Sequence, residues 1–259
     1  GLDGVYTEAV DVDLDGEMEY LLYNSRLFAV FERQGGRLIL AWVRSLQSDS
    51  LHQVMGNLTS YAGGDTESEG AYNVDPSGAL VAFRTSGLKD WWVESGPGTG
   101  TVAYVNTMYT FSDAGDGWDM VSPDGAVQKS VRLTPHARRM EVAYHLGGAM
   151  TGGTIYVRHG LSPALADLLV NGQRGLTEER HEGGVMTLSY TGYVESASIR
   201  IGYGDDGHHA TFNPAARDDH PGGGVTYDTV RMRNQAQTHQ VELVGSNGLL
   251  SFSLEFGAT

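Results

Sequence analysis

Apolar and polar residues alternate with a period of two along almost the whole chain. They do so in short runs rich in Val, Ile, Tyr, Phe and Thr, bounded by Gly, Asn, Asp and Pro. Successive side chains of a strand face opposite ways, so this pattern predicts half-buried strands joined by turns. It places strands at residues 19–23, 27–32, 37–44, 79–85, 102–111, 118–121, 126–133, 139–146, 153–159, 184–190, 196–203, 225–234, 238–244 and 248–256. Turn residues separate neighbouring runs at Gly35-Gly36, Pro123-Asp124-Gly125, Gly147-Gly148 and Ser246-Asn247-Gly248, the chemistry of tight hairpins. Helical signals are few. Ser162 as N-cap and Pro163 at the first helical position predict a short helix over 162–169, and Leu46, Leu51 and Val54 would share one face of a second helical turn within 46–55. So many strands need a second sheet to close their apolar faces. The expectation is an all-β fold, a large two-sheet antiparallel β-sandwich with one or two short helices. No repeat or linker divides the chain, which makes residues 1–259 a single domain. Irregular stretches at 56–78, 87–100 and 204–224 are where binding sites are expected.

Composition narrows the function. Glycine supplies 36 of 259 residues, about twice ordinary usage, without a collagen period, in keeping with many tight turns. Seventeen basic against 32 acidic residues give a formal charge of −15, which repels phosphate backbones and anionic headgroups, so neither nucleic acid nor a membrane is an expected partner. Lys89 and Lys129 are the only lysines, a bias to which the sequence alone attaches no function. The absence of cysteine removes disulfides, thiolate metal sites and cysteine nucleophiles, leaving the compartment open, with an extracellular or periplasmic setting favoured. The longest apolar run, 38–43, is far shorter than the roughly 20 residues of a membrane-spanning helix, and a soluble protein is expected. A start at Gly1, with no initiator Met or signal segment, suggests a processed or excised piece of a longer protein.

The sharpest local signal is acidic. Asp11, Asp13, Asp15 and Glu19 stand at positions one, three, five and nine of a run with Gly16 at position six. Such spacing folds three carboxylates inward around a hard cation such as Ca²⁺, with Glu17 offering its backbone carbonyl. The twelfth position, where an EF-hand carries Glu, is Leu22, so residues 9–24 are expected to form a calcium-type loop running into a strand; the plain alternative is an exposed acidic turn. Trp91-Trp92, flanked by Lys89-Asp90 and Glu94, suits a glycan, because sugar C–H faces stack on indoles while carboxylates accept hydroxyl hydrogen bonds. In a strand one of the two would instead face the core. Tyr61 and Trp118 are further aromatic candidates. Asp205, Asp206, His208 and His209, with Asp218, Asp219 and His220, concentrate metal-type ligands in one stretch, or else form a solvated loop. His145, His159 and Glu255 could supply an acid–base pair only if the fold brought them together. No phosphate-cradling loop or nucleophile elbow is present.

The run from Asp11 to Glu19, followed by Tyr23-Asn24-Ser25-Arg26-Leu27-Phe28-Ala29-Val30-Phe31-Glu32 and Gly35-Gly36-Arg37-Leu38, resembles the opening of the β-sandwich that follows the barrel in amylolytic enzymes of glycoside hydrolase family fifty-seven and relatives. That module is a galactose-mutarotase-like supersandwich. The resemblance covers about residues 9 to 60; beyond Leu58 only the strand-rich character matches. It implies a non-catalytic, carbohydrate-associated domain, working on a glycan or oligosaccharide beside a catalytic domain of the same polypeptide whose carboxylates lie outside this chain, and the acidic spacing adds structural calcium to that expectation. Two alternatives stand beside it: a free-standing sugar-active enzyme, epimerase or lyase-like, with a His/Glu or His/Asp site, and an oligomerisation or cell-surface interaction module.

Overall fold

A computed structural model describes residues 2–12, 14–55, 86–94, 101–102, 104–150, 153–161, 167–170, 179–182, 184–191, 196–203, 208–213, 237–244 and 248–258. Its strands are β1 (Tyr6–Val10), β2 (Glu19–Tyr23), β3 (Leu27–Glu32), β4 (Arg37–Arg44), β5 (Leu51–Met55), β6 (Lys89–Glu94), β7 (Thr101–Val102), β8 (Thr110–Asp113), β9 (Gly117–Val121) and β10 (Val127–Leu133). They continue with β11 (Arg139–Leu146), β12 (Gly153–Leu161), β13 (Asp167–Val170), β14 (Glu179–Glu182), β15 (Gly184–Thr191), β16 (Ser196–Tyr203), β17 (His208–Asn213), β18 (Gln237–Val244) and β19 (Leu249–Ala258).

These strands form three antiparallel ladders. One holds five strands in the order β1-β2-β3-β4-β5, one eight in the order β13-β15-β16-β19-β11-β10-β9-β8, and one six in the order β14-β17-β18-β12-β6-β7. The five- and six-strand ladders are stitched side by side where Leu38 of β4 and Gly87, just before β6, exchange both backbone hydrogen bonds at 3.0 and 2.8 Å. The eight-strand ladder lies across them. Leu22, Phe31 and Val43 from the first ladder, Ile155 and Val157 from β12, and Val131, Val142 and Leu254 from the eight-strand ladder belong to one buried cluster. Each such side chain contributes about 1.5–3 kcal/mol by leaving water. The architecture is therefore the expected two-sheet β-sandwich.

The helices differ from expectation. Leu51–Met55 is β5, paired to β4, and Asp167–Val170 is β13, paired to β15; residues 162–166 lie outside the described part. Leu168, Leu169 and Val170 form an apolar run that suits a strand as well as a helix, and ladder pairing decides between them. Among the described residues the helical elements are two three-residue 3-10 turns, Tyr104–Asn106 and Gly148–Met150. The first interrupts the strand expected over 102–111, because this segment serves the β3–β4 turn. Thr107 accepts from Gly35 N at 2.7 Å, and Tyr109 N donates to Arg33 O at 2.8 Å. Gly35 and Gly36 take φ of 73° and 53°, and a Cβ on Gly35 would lie 2.3 Å from the Val105 carbonyl oxygen, so only glycine fits.

Candidate functional site

The acidic turn is built by its own backbone. Asp11 accepts from the amides of Asp15 and Gly16, both at 3.1 Å, and Asp15 accepts from Glu17 N at 2.7 Å. Leu14 at φ 64° and Gly16 at φ 96° supply the left-handed bends. Glu17 reaches Arg33 at 3.5 Å across solvent. Glu19 is buried and accepts from Val12 N at 2.5 Å. Asp13 lies outside the described residues. Among those described, no three acidic or histidine side chains gather as a cation would require, and the donor set for calcium is not assembled by Asp11, Asp15, Glu17 and Glu19 alone.

The motif that follows the turn is structural. Asn24 is buried, and its amide nitrogen donates to Thr134 O at 2.7 Å and Ala137 O at 2.9 Å, while its oxygen accepts from the amides of Arg26 and Leu27. One side chain thus shapes the β2–β3 turn and ties it to the β10–β11 connection of the opposite layer.

A second charged group sits in the core. Lys129, on β10, is fully buried, and its Nζ lies 2.8 Å from Oδ2 of the equally buried Asp90 on β6. The ammonium also donates to Gly35 O, to Leu88 O at 3.1 Å and to Gly36 O at 3.5 Å, and stands 4.4 Å from the centre of the Tyr109 ring. Tyr109 OH donates to Asp90 at 3.2 Å. One lysine therefore touches all three ladders. Burial pushes the Asp90 carboxyl above its usual range, against the pull of Lys129, and pushes the Lys129 ammonium below its own, against the pull of Asp90. Nearby, Arg37 and Glu32 form another buried ion pair. These groups are enclosed between layers and held by one another and by backbone carbonyls, while Oδ1 of Asp90 is buried without a hydrogen-bond partner. Sequence reasoning passed over the joint; the signal was that the chain has only two lysines, and both are buried.

The predicted aromatic sites separate. Trp118 is core: its ring lies edge-on to Tyr20 at 5.2 Å between centroids, and its Nε1 donates to Leu21 O at 2.9 Å. Trp92 is half-buried, with its indole laid over Gly153 so closely that a Cβ there would meet it at 2.3 Å. Tyr61 lies outside the described residues. Trp91 alternates with Trp92 on β6 and so belongs to the other face of the six-strand ladder.

That other face collects the chemistry. Ile155 and Val157 on β12 are fully buried, so Tyr156, between them, is on the face away from the core. Register places Tyr156 opposite Trp91 of β6 on one side and Glu242 of β18 on the other. Glu242 is opposite His209 of β17, and His209 is opposite Glu182 of β14. A single row across five strands thus carries Glu182, His209, Glu242, Tyr156 and Trp91. Directly opposite residues of neighbouring strands have Cβ atoms about 5 Å apart. His209 belongs to the 205–220 stretch singled out from the sequence; Asp205, Asp206, Asp218, Asp219 and His220 lie outside the described residues. The other acid–base candidates are not brought together. Glu255 pairs with Arg139 and His145 with Leu249, six positions apart along the β11–β19 ladder, and His159 is opposite His239 on the core-side face of the six-strand ladder.

No family model matches the chain, and no curated protein matches it. Solved structures similar to it include the 4-α-glucanotransferase from Thermococcus litoralis, with 14% identity, a TM-score of 0.45, and 97% of this chain covered against 39% of that one. HI1317 matches with 10% identity and a TM-score of 0.49 over 97% of this chain and 100% of that one. An α-mannosidase from Enterococcus faecalis V583 matches with 5% identity and a TM-score of 0.49 over 92% of this chain and 29% of that one. The chain therefore spans well under half of the two enzymes.

Proposed function

We propose that this chain is a non-catalytic, carbohydrate-associated β-sandwich domain that works beside a glycoside hydrolase or glucanotransferase-type catalytic unit of the same polypeptide. The outer face of the six-strand ladder holds the glycan. The observation that carries this reading is the cross-strand row of Trp91, Tyr156, Glu242, His209 and Glu182. Aromatic residues at one end and hydrogen-bonding residues at the other match a sugar ring, which has apolar C–H faces and a polar rim. A row built on strands is also held in place better than one on loops. The resemblance of residues 9 to 60 to a sandwich of amylolytic enzymes points the same way. Glycan-array binding and affinity electrophoresis of the isolated chain test it. The wild type is expected to bind a glycan, and Trp91→Ala to lose binding while keeping the wild-type circular dichroism spectrum. A wild type that binds no glycan overturns the reading.

The neighbouring positions of His209 and Glu242 favour one second reading, a complete sugar-active enzyme in which the imidazole and a carboxylate exchange protons with a bound sugar. Anomerisation or proton-exchange assays separate the two: turnover by the isolated chain that disappears in both His209→Ala and Glu242→Gln would replace the accessory-domain reading, and no turnover retains it.

A further inference from the structure

The contact between Asp90 and Lys129 sets a carboxyl group against an amine, from opposite layers, with both side chains fully buried. Lys129 Nζ lies 2.8 Å from Asp90 Oδ2. Gly35 O and Leu88 O accept from the same nitrogen, the latter at 3.1 Å, while Gly36 O stands at the limit of bonding distance, 3.5 Å. A neutral amine has two N–H groups and one lone pair. Two close carbonyls therefore hold the N–H groups and leave the lone pair for the carboxyl carbon. Tyr109 OH donates to the same Oδ2 at 3.2 Å, and Oδ1 has no partner. The rings of Tyr109 and Tyr144 stand 4.4 and 5.4 Å from Nζ and wall the contact.

In water an ammonium and a carboxylate do not condense, because hydration stabilises each ion. Burial removes that stabilisation, and holding the pair in contact turns a chance encounter into a step within one molecule. Burial also moves the Asp90 carboxyl upward and the Lys129 ammonium downward, toward the uncharged acid and amine that condensation requires.

We infer that Lys129 and Asp90 close an isopeptide bond across the sandwich after the chain has folded. One proton of the ammonium passes to Oδ2, the freed lone pair attacks Cγ, and the Nζ–Cγ bond forms. The Cγ–Oδ2 bond then breaks, and Oδ2 departs as water with a second proton from Nζ. Oδ1 stays as the amide oxygen. The sum is ammonium plus carboxylate to amide plus water, with nothing oxidised or reduced. Tyr109 is a catalytic residue here, because its O–H stabilises the charge that gathers on Oδ2 as the bond breaks. Until closure the joint is the ion pair described above, with a free amine on Lys129. The reaction does not depend on which ligand the outer face takes.

Intact-mass spectrometry of the full chain, followed from folding through prolonged incubation at neutral pH, tests the inference. The wild type is expected to become lighter by one water. It should also yield a branched tryptic peptide that joins Asp90 to Lys129 and is uncut after Lys129. Lys129→Arg and Asp90→Ala should keep their full mass, which separates the bond from water lost at Asp-Gly pairs such as Asp124-Gly125. Tyr109→Phe should slow closure about tenfold or more, and an unchanged rate overturns the role given to Tyr109. A wild type that keeps the mass of its sequence and releases an ordinary peptide ending at Lys129 overturns the inference. So does an equal loss of water in Lys129→Arg. Should a variant fail to fold, the branched peptide of the wild type still decides.

Discussion

The acidic turn and the Asp90–Lys129 joint use the same functional group in opposite ways. At the turn, Asp11 and Asp15 spread their charge over backbone amides in solvent, so each bond is individually cheap to lose. At the joint, one carboxylate and one ammonium are fully out of water, 2.8 Å apart, with three carbonyl oxygens around the lysine. There the attraction is strong, but so is the cost of dehydration, and breaking half of the pair leaves a buried charge uncompensated. The comparison teaches that the described part of the conspicuous acidic motif is held mainly by its own amides, whereas a lysine with no motif around it fixes how three ladders meet.

The largest effect is expected at the joint. Lys129→Met should lower unfolding free energy by about 3–5 kcal/mol, measured by urea denaturation, and Lys129→Met/Asp90→Leu should be less damaging than the single change. A double variant worse than Lys129→Met would contradict the view that the lone carboxylate is the source of the loss. The second expectation concerns pH in Lys129→Met. With Lys129 gone, burial, the largest influence on Asp90, is opposed only by the Tyr109 and backbone hydrogen bonds, and the folded pKa stays above the unfolded value. The folded form therefore binds the proton more readily, so the variant loses stability as pH rises from the ordinary carboxylate range through the folded pKa, and recovers it on acidification. Unfolding curves of this variant from pH 4 to 8, compared with those of the double variant, give the slope; a rise in stability over that window would refute it.

Smaller effects belong to the turn. Glu19→Ala removes a buried acceptor for Val12 N and should cost about 1–3 kcal/mol, read as a shift of the urea midpoint. Asp11→Asn, at a partly exposed site, should change stability by less than about 1 kcal/mol. Calcium sharpens the contrast last. With Asp11 and Asp15 committed to amides, melting temperature is expected to be the same in EDTA and in millimolar Ca²⁺. A higher value in Ca²⁺ that vanishes in Asp11→Asn would show that these carboxylates exchange their amides for an ion.

Much of the fold was legible because half-buried strands announce themselves by alternation. The bounds expected for β2, β3, β4, β11 and β16 are those observed. Two of the strands that escaped, β1 and β14, lack the alternation. In β1 all but Thr7 are exposed, and β14 reads Glu-Arg-His-Glu, with no apolar residue at all. Each is an edge strand held by ladder hydrogen bonds to one neighbour, which a hydrophobic pattern does not record. The site was less legible for a related reason. Trp91-Trp92 stood out as residues, but the stretch 87–100 was expected to be irregular where the structure has β6, and the positions of Tyr156, Glu242, His209 and Glu182 beside it depend on register between strands distant in sequence. Lys89-Asp90 looked like a charged lead-in to the tryptophans, since charge defaults to the surface, and nothing local says that Asp90 meets Lys129.

The burial of both lysines has a practical consequence. No side-chain amine is open to solvent in the folded chain, so acylating reagents can reach Lys129 only when the layers part. The rate at which Lys129 is acylated is thus a clock for opening of the sandwich, and a ligand that holds the ladders together would slow it.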